Sequence, residues 1–228
     1  MTVDQLYYFI YTAAFFSLVP ALSAIWCWSS FNPTQRLLGV LVIIAALTEI
    51  AAIGIIKILG QSNILLVHIF TVIELVLLIQ IYRLEHVLSK SISFLITFLF
   101  FVLALVGAFT WDDVAQFKPN TVSRSTSSLL LVFFALRYFF QQSSNIDLTQ
   151  RHHKDFLANS PMFWINVAVL VYFPASLFIF LFSQWFVVAG GKYGLIIYAV
   201  HAFLLIIKSL LFTISIWKKA PKSPAYSS

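Results

Sequence analysis

The chain has 228 residues, of which 61% are apolar and only 10% charged, and its mean hydropathy is +0.95. These values lie outside the soluble globular range, so a water-soluble enzyme or binding domain is excluded and lipid is the solvent to reason about. The formal net charge of +6 then reflects orientation and contact with anionic headgroups, with no nucleic acid to invoke.

A transmembrane helix needs about 20 predominantly apolar residues. That ruler places helices at 6–29, 37–59, 63–82, 91–110, 121–141, 161–185 and 193–217. The breaks carry turn-forming residues: Asn32-Pro33 with Thr34, Gly60-Gln61-Ser62, Lys118-Pro119-Asn120 and Gly190-Gly191. Continuous apolar runs, in place of a short polar-apolar alternation, argue against a barrel. The expected fold class is therefore all-α: a polytopic bundle of seven transmembrane helices, one membrane-embedded domain over 1–228, with a short basic tail at 218–228.

The first helix is expected to be retained, because Asp4 opens it and no Lys or Arg precedes Arg36, unlike a cleaved signal peptide. Pro20 in the first helix and Pro174 in the sixth each remove a backbone donor and mark expected kinks. The lone Cys27 excludes an internal disulfide. One side of the membrane collects Arg36, Arg83, Lys90, Arg137, Arg151, Lys154, Lys218, Lys219 and Lys222, against Lys57, Lys118, Arg124 and Lys192 on the other. The rich side is expected to be cytoplasmic, which puts the N-terminus outside, the C-terminus inside and Asp112-Asp113 on the outer surface. Trp111, Trp185, Trp217, Tyr7 and Tyr8 fit an interfacial aromatic belt.

Chemistry is expected on polar groups within the hydrocarbon layer, where an Asp, Lys or Arg costs about 2.5 to 3.5 kcal/mol and so faces inward with a partner. Glu49 on the second helix, His68 and Glu74 on the third, and His201 and Lys208 on the seventh qualify by depth. His201 and Lys208 are two turns apart and define a stripe that continues to Tyr198 and Ser215. Ala45, Ala46, Ala51 and Ala52 frame Glu49 and favour close helix contact. The outer turns of the fifth helix read Thr121-Val122-Ser123-Arg124-Ser125-Thr126-Ser127-Ser128, a pocket wall or a hydrogen-bonded helix contact. The candidate cluster is Glu49, His68, Glu74, Arg124, His201 and Lys208, with Asn166 and Tyr172 as neutral donors; structural pairs, such as Glu49 with Lys57 or Lys208, are the competing reading.

No metal motif is present: His-Glu-x-x-His, paired cysteines and His-x-x-x-His are all missing, and His152-His153 sits among basic loop residues, so no cofactor is expected. A mid-membrane lysine on a seventh helix is similar to that of a microbial rhodopsin, which would make Lys208 a Schiff-base site and Glu74 its counter-ion. The Arg, Asp and Trp pattern expected on the third helix is absent, and no Asp lies one turn before Lys208.

The runs Asn63-Ile-Leu-Leu-Val-His68-Ile-Phe-Thr71-Val-Ile-Glu74 and Phe163-Trp164-Ile-Asn166, with His201 through Lys208, carry a further resemblance. In these the chain resembles small stand-alone bacterial seven-helix membrane proteins, similar to the seven-transmembrane input modules of sensor histidine kinases. The resemblance implies a multi-pass protein of the bacterial inner membrane that binds a small ligand or senses the membrane. It would signal through a separate cytoplasmic partner such as a histidine kinase. The alternative expectation is a proton-coupled transporter or intramembrane enzyme that uses the same Glu, His and Lys groups.

Overall fold

A computed structural model describes residues 3–110, 121–144, 158–189 and 192–218. The breaks at Lys118-Pro119-Asn120 and Gly190-Gly191, the Asp112-Asp113 and His152-His153 pairs, Trp111, Arg151, Lys154, Lys219 and Lys222 lie outside the described residues.

Among the described residues the chain is helical and forms no strand. The helices are α1 (Val3–Phe16), α2 (Leu18–Cys27), α3 (Pro33–Ile58), α4 (Ile64–Leu84), α5 (Lys90–Thr110), α6 (Thr121–Ser144), α7 (Pro161–Ala189) and α8 (Lys192–Trp217), with a 3-10 turn at Trp28–Ser30. The expected first helix, 6–29, is thus two helices and a turn. Its break falls at Ser17, whose N–H and hydroxyl both donate to the Ala14 carbonyl, at 3.2 and 2.7 Å. Pro20, one turn on, has no N–H to offer Phe16, so the ladder fails just where Ser17 interrupts it. The kink expected at Pro174 does not break its helix, since α7 continues through it.

The second helix begins at Pro33, a full turn before the expected residue 37. Asn32 and Gln35 form a capping box, Asn32 Oδ1 accepting from the Gln35 N–H at 2.8 Å and Gln35 Oε1 from the Asn32 N–H at 3.4 Å, with Pro33 in the first turn. Gly60 closes the turn after α3 with φ +63, and His86 stands just past α4 with φ 56, the left-handed conformation that stops a helix.

Six stretches are long and apolar enough to cross a membrane: Asp4–Ser30, Pro33–Ile58, Ile64–Leu84, Lys90–Phe109, Pro161–Ile179 and Ile196–Trp217. This is the composition of a multi-pass membrane protein. The remaining expected span, the fifth in chain order and now α6, falls short by composition because its first turns hold the Ser/Thr run and Arg124. Its burial explains how such a helix sits among the others. Ser123, Arg124, Ser125, Ser127 and Ser128 are buried, whereas Leu129, Phe133, Leu136 and Phe140 are exposed, so its polar face turns inward.

Successive helices pack side by side from α2 to α8, and α8 returns against α1 and α2 to close a ring. Cross-contacts of α4 with α6 and of α3 with α8 fill the centre. Helix α5 meets α4 and α6 and shows the outside Phe94, Phe98, Phe101, Leu105 and Phe109.

The lower end, where the 28–32 turn, the 85–89 connection and the end of α8 meet, is held by side chains that reach across helices. Gln35 Nε2 donates to the carbonyls of Ser215, Ile216 and Lys218 at 3.2, 3.3 and 2.8 Å, which gives the last turn of α8 the partners it lacks. The Ser215 hydroxyl donates to the Pro161 carbonyl at 2.9 Å, and Thr34 donates to Glu85. Gln35→Leu should therefore lower stability by about 1 to 2 kcal/mol, seen as a lower unfolding midpoint of the purified protein in detergent. An unchanged midpoint would show that the lower end does not depend on this amide.

Candidate functional site

Helical spacing sets which side chains converge. On α4, Val67, Thr71, Glu74 and Leu78 recur at i, i+4, i+7 and i+11 and face the ring's centre. On α8, His201, Leu205, Lys208, Phe212 and Ser215 form the matching stripe. Ser215 is buried as the sequence pattern expects, but Tyr198 is 55% exposed and leaves the stripe. Helix α6 contributes Arg124 from its first turns, and α7 contributes Tyr172.

These stripes meet at Glu74. Its Oε2 accepts from Arg124 Nη1 at 2.6 Å and its Oε1 from Lys208 Nζ at 3.1 Å, so one carboxylate ties α4 to both α6 and α8. Arg124 Nη1 also lies 3.5 Å from Thr71 Oγ1, and Arg124 Nη2 donates to the Tyr172 hydroxyl at 3.0 Å, which brings in α7. The Lys208 ammonium stands 4.1 Å from the centroid of the Tyr172 ring, a cation–π contact, and the His201 ring lies 5.7 Å from the same ring. Glu74, Arg124, Tyr172 and Lys208 are only 2%, 5%, 1% and 6% exposed. Out of water, charges must be paired and hydrogen-bonded. Two cations here share the Glu74 carboxylate, and the Glu49 carboxylate lies close enough to act on both electrostatically.

A cavity of about 130 Å³ lies beside the knot, lined by Glu49, Glu74, Arg124, Tyr172, His201 and Lys208. It reaches Asn63, at the upper end of α4, and Ser17, at the break between α1 and α2. Its lining nearest the lower end is Leu41, Val42 and Phe212, all buried. Glu49, partly buried on α3, makes no hydrogen bond or ion pair among the described residues. Its side chain lines the same cavity as Lys208 and Arg124.

The sequence-derived cluster is thus brought together in Glu49, Glu74, Arg124, Tyr172, His201 and Lys208, and two members stand apart. His68 is buried toward α5 and lines a separate apolar recess with Val72, Phe101 and Leu105. Six residues turn a helix by about 240°, so His68 and Glu74 leave α4 in different directions. Asn166 is fully buried, accepts from the Tyr82 hydroxyl at 2.9 Å and donates to the Met162 carbonyl at 2.8 Å, linking α7 to α4. It lies nearer the lower end than Tyr172 by about 9 Å of helix.

The Ser/Thr run of α6 divides in the same way. Arg124 reaches the cavity, whereas the Ser127 and Ser128 hydroxyls donate back to the Arg124 carbonyl at 2.9 and 2.8 Å and act in packing. Lys57 does not join the cluster and stands 4.7 Å from the Tyr11 ring centroid. Sequence reasoning missed Thr71, although it sits one turn before Glu74 on the same stripe. It also missed Ser17, for which no local signal exists beyond the nearby proline.

No protein-family model, curated protein or solved structure matches the chain. The chemistry therefore rests on the geometry. Glu74→Gln would leave two buried cations without their counter-charge and should cost about 3 to 5 kcal/mol. Lys208→Met keeps the Arg124–Glu74 pair, with balanced charge, and should cost much less. Equal losses in thermal unfolding of the two purified variants would show that Glu74 does not serve both cations.

Proposed function

We propose that the chain is a seven-transmembrane-helix receptor or sensor of the bacterial inner membrane, with its N-terminus outside and its C-terminus in the cytoplasm. Helix α6 completes the seven spans, because its apolar face is exposed while its polar face is buried. Arg36, Arg83, Lys90 and Lys218 fall toward the lower end of the bundle, which supports a cytoplasmic lower face. A C-terminal fluorescent-protein fusion should accordingly be fluorescent in bacterial cells, and a C-terminal alkaline phosphatase fusion inactive. The reverse pair would overturn the orientation.

One observation carries the functional reading: the charged cavity reaches toward the upper end, and below it the core is filled. Leu78, Ile79, Leu131, Ile165 and Val169 are fully buried between the cavity and the lower end. A proton-coupled transporter built on the same residues calls for a polar path to both faces. A receptor calls for a ligand site on one side and a transmissible rearrangement on the other. The Glu74 knot suits the second demand, since a ligand that competes for Lys208 or Arg124 perturbs contacts of α4, α6, α7 and α8 together. Such a ligand shifts the balance between helix arrangements only as far as it binds one better than the other, and about 5.5 kcal/mol of difference takes a 1:99 mixture to 99:1. A separate cytoplasmic protein, such as a histidine kinase, would read the change, in keeping with the resemblance carried by Asn63 to Glu74.

Thiol accessibility tests this reading. In a Cys27→Ser background, Thr48→Cys places one thiol on the cavity wall. A membrane-impermeant thiol reagent should modify it from the outer face and not from the inner face. Modification from both faces would favour transport, and none from either would remove the ligand pocket.

A further inference from the structure

The charges of this cavity also select a class of ligand. Lys208 has three N–H donors and no acceptor atom. One donor goes to Glu74 Oε1, and among the described residues no second acceptor receives a hydrogen bond from the ammonium, which nonetheless lines the cavity at 6% exposure. On α3, Glu49 lines the same cavity, offers only acceptor oxygens once ionised and makes no hydrogen bond or ion pair among the described residues. The lining therefore presents an incompletely used donor on α8 and an incompletely used acceptor on α3. The two do not touch.

Resting on the receptor reading above, we propose that the cavity binds a small zwitterion, an amino carboxylate of amino-acid size, with its carboxylate on Lys208 and Arg124 and its ammonium on Glu49. A simple carboxylate would satisfy Lys208 but confront Glu49 with a second anion. A simple amine would satisfy Glu49 but confront Lys208 with a second cation. A neutral polyol would reach both groups without the charge-assisted bonds that strengthen such contacts. A zwitterion meets both groups and leaves the net charge of a buried, low-dielectric site unchanged, which avoids the heavy cost of an uncompensated charge. The cavity volume of about 130 Å³ limits the ligand to a small molecule, and Phe70, Leu205 and the Tyr172 ring leave an apolar side for a short side chain.

The test uses the full chain in nanodiscs, with the Thr48→Cys thiol as reporter and compounds of defined charge as probes. Glycine, alanine, serine, valine, β-alanine and glycine betaine are compared with propionate and isobutyrate, which lack the amine, and with ethylamine and isopropylamine, which lack the carboxylate. At least one zwitterion should slow thiol modification about tenfold or more at saturation, while the one-ended probes at equal concentration leave the rate unchanged. Glu49→Gln, of equal size and without the charge, should weaken that protection by about tenfold or more, as loss of a charge-assisted bond implies. Glu49→Asp should retain it in part, which separates lost charge from lost folding. Protection by propionate equal to that by alanine would overturn the proposal in favour of an anion site, and protection by amines alone in favour of a cation site. A thiol that reacts from outside but is protected by no zwitterion would overturn the proposal and leave the receptor pocket standing. A thiol that does not react would take both down.

Discussion

Glu74 shares its carboxylate between Arg124 and Lys208, and much of the bundle's arrangement follows from that sharing. Within lipid no hydrophobic force separates helix from helix, because acyl chains are as apolar as leucine, so packing and polar contacts decide which faces meet. Each charged side chain must turn inward or carry an insertion cost of about 2.5 to 3.5 kcal/mol. With three such residues on three helices, the rotations of α4, α6 and α8 become mutually dependent. The serine face of α6 turns inward with Arg124, and Tyr172 on α7 is fixed by the same guanidinium and by the Lys208 ammonium.

The two ends of the bundle differ in kind. Toward the lower end, side chains reach backbone carbonyls on neighbouring helices, as Gln35 and Ser215 do, and bulky apolar groups fill the space above them. Tyr82 with Asn166 adds a closed polar pair in which donor and acceptor are both satisfied. Toward the upper end, the break at Ser17 and the charges around Glu74 leave a cavity whose polar groups are unevenly matched. A firm lower half beneath a polar, incompletely satisfied upper half is the division of labour that a one-sided ligand site calls for.

The sequence was informative where a residue's cost is high and local. Glu49, Glu74, Arg124, His201 and Lys208 could be singled out because charged or titratable groups in a long apolar run demand an explanation, and all of them line one cavity. His68 satisfied the same depth criterion yet faces α5, because depth along a helix says nothing about direction around it until the neighbours are placed. Asn166, expected as a donor at the cavity, instead pairs with Tyr82 nearer the other end. Gln35 shows the complementary limit. The capping box Asn32-Pro33-Thr34-Gln35 is written in four consecutive residues, but the bonds from its amide to Ser215, Ile216 and Lys218 join parts of the chain far apart in sequence.

By itself, the sequence determined an all-helical chain with the composition of a multi-pass membrane protein and most helix positions, since burial of backbone polar groups in lipid leaves little alternative to the helix. It also determined which residues needed partners. Tertiary structure decided that the first span breaks at Ser17, one turn before Pro20, that α6 buries its polar face, and that Glu74 holds Arg124 and Lys208 while Glu49 lines the same cavity without bonding to them. Those outcomes depend on the rotation of each helix against its neighbours, a quantity set by packing and charge pairing among distant segments and by no local pattern of residues.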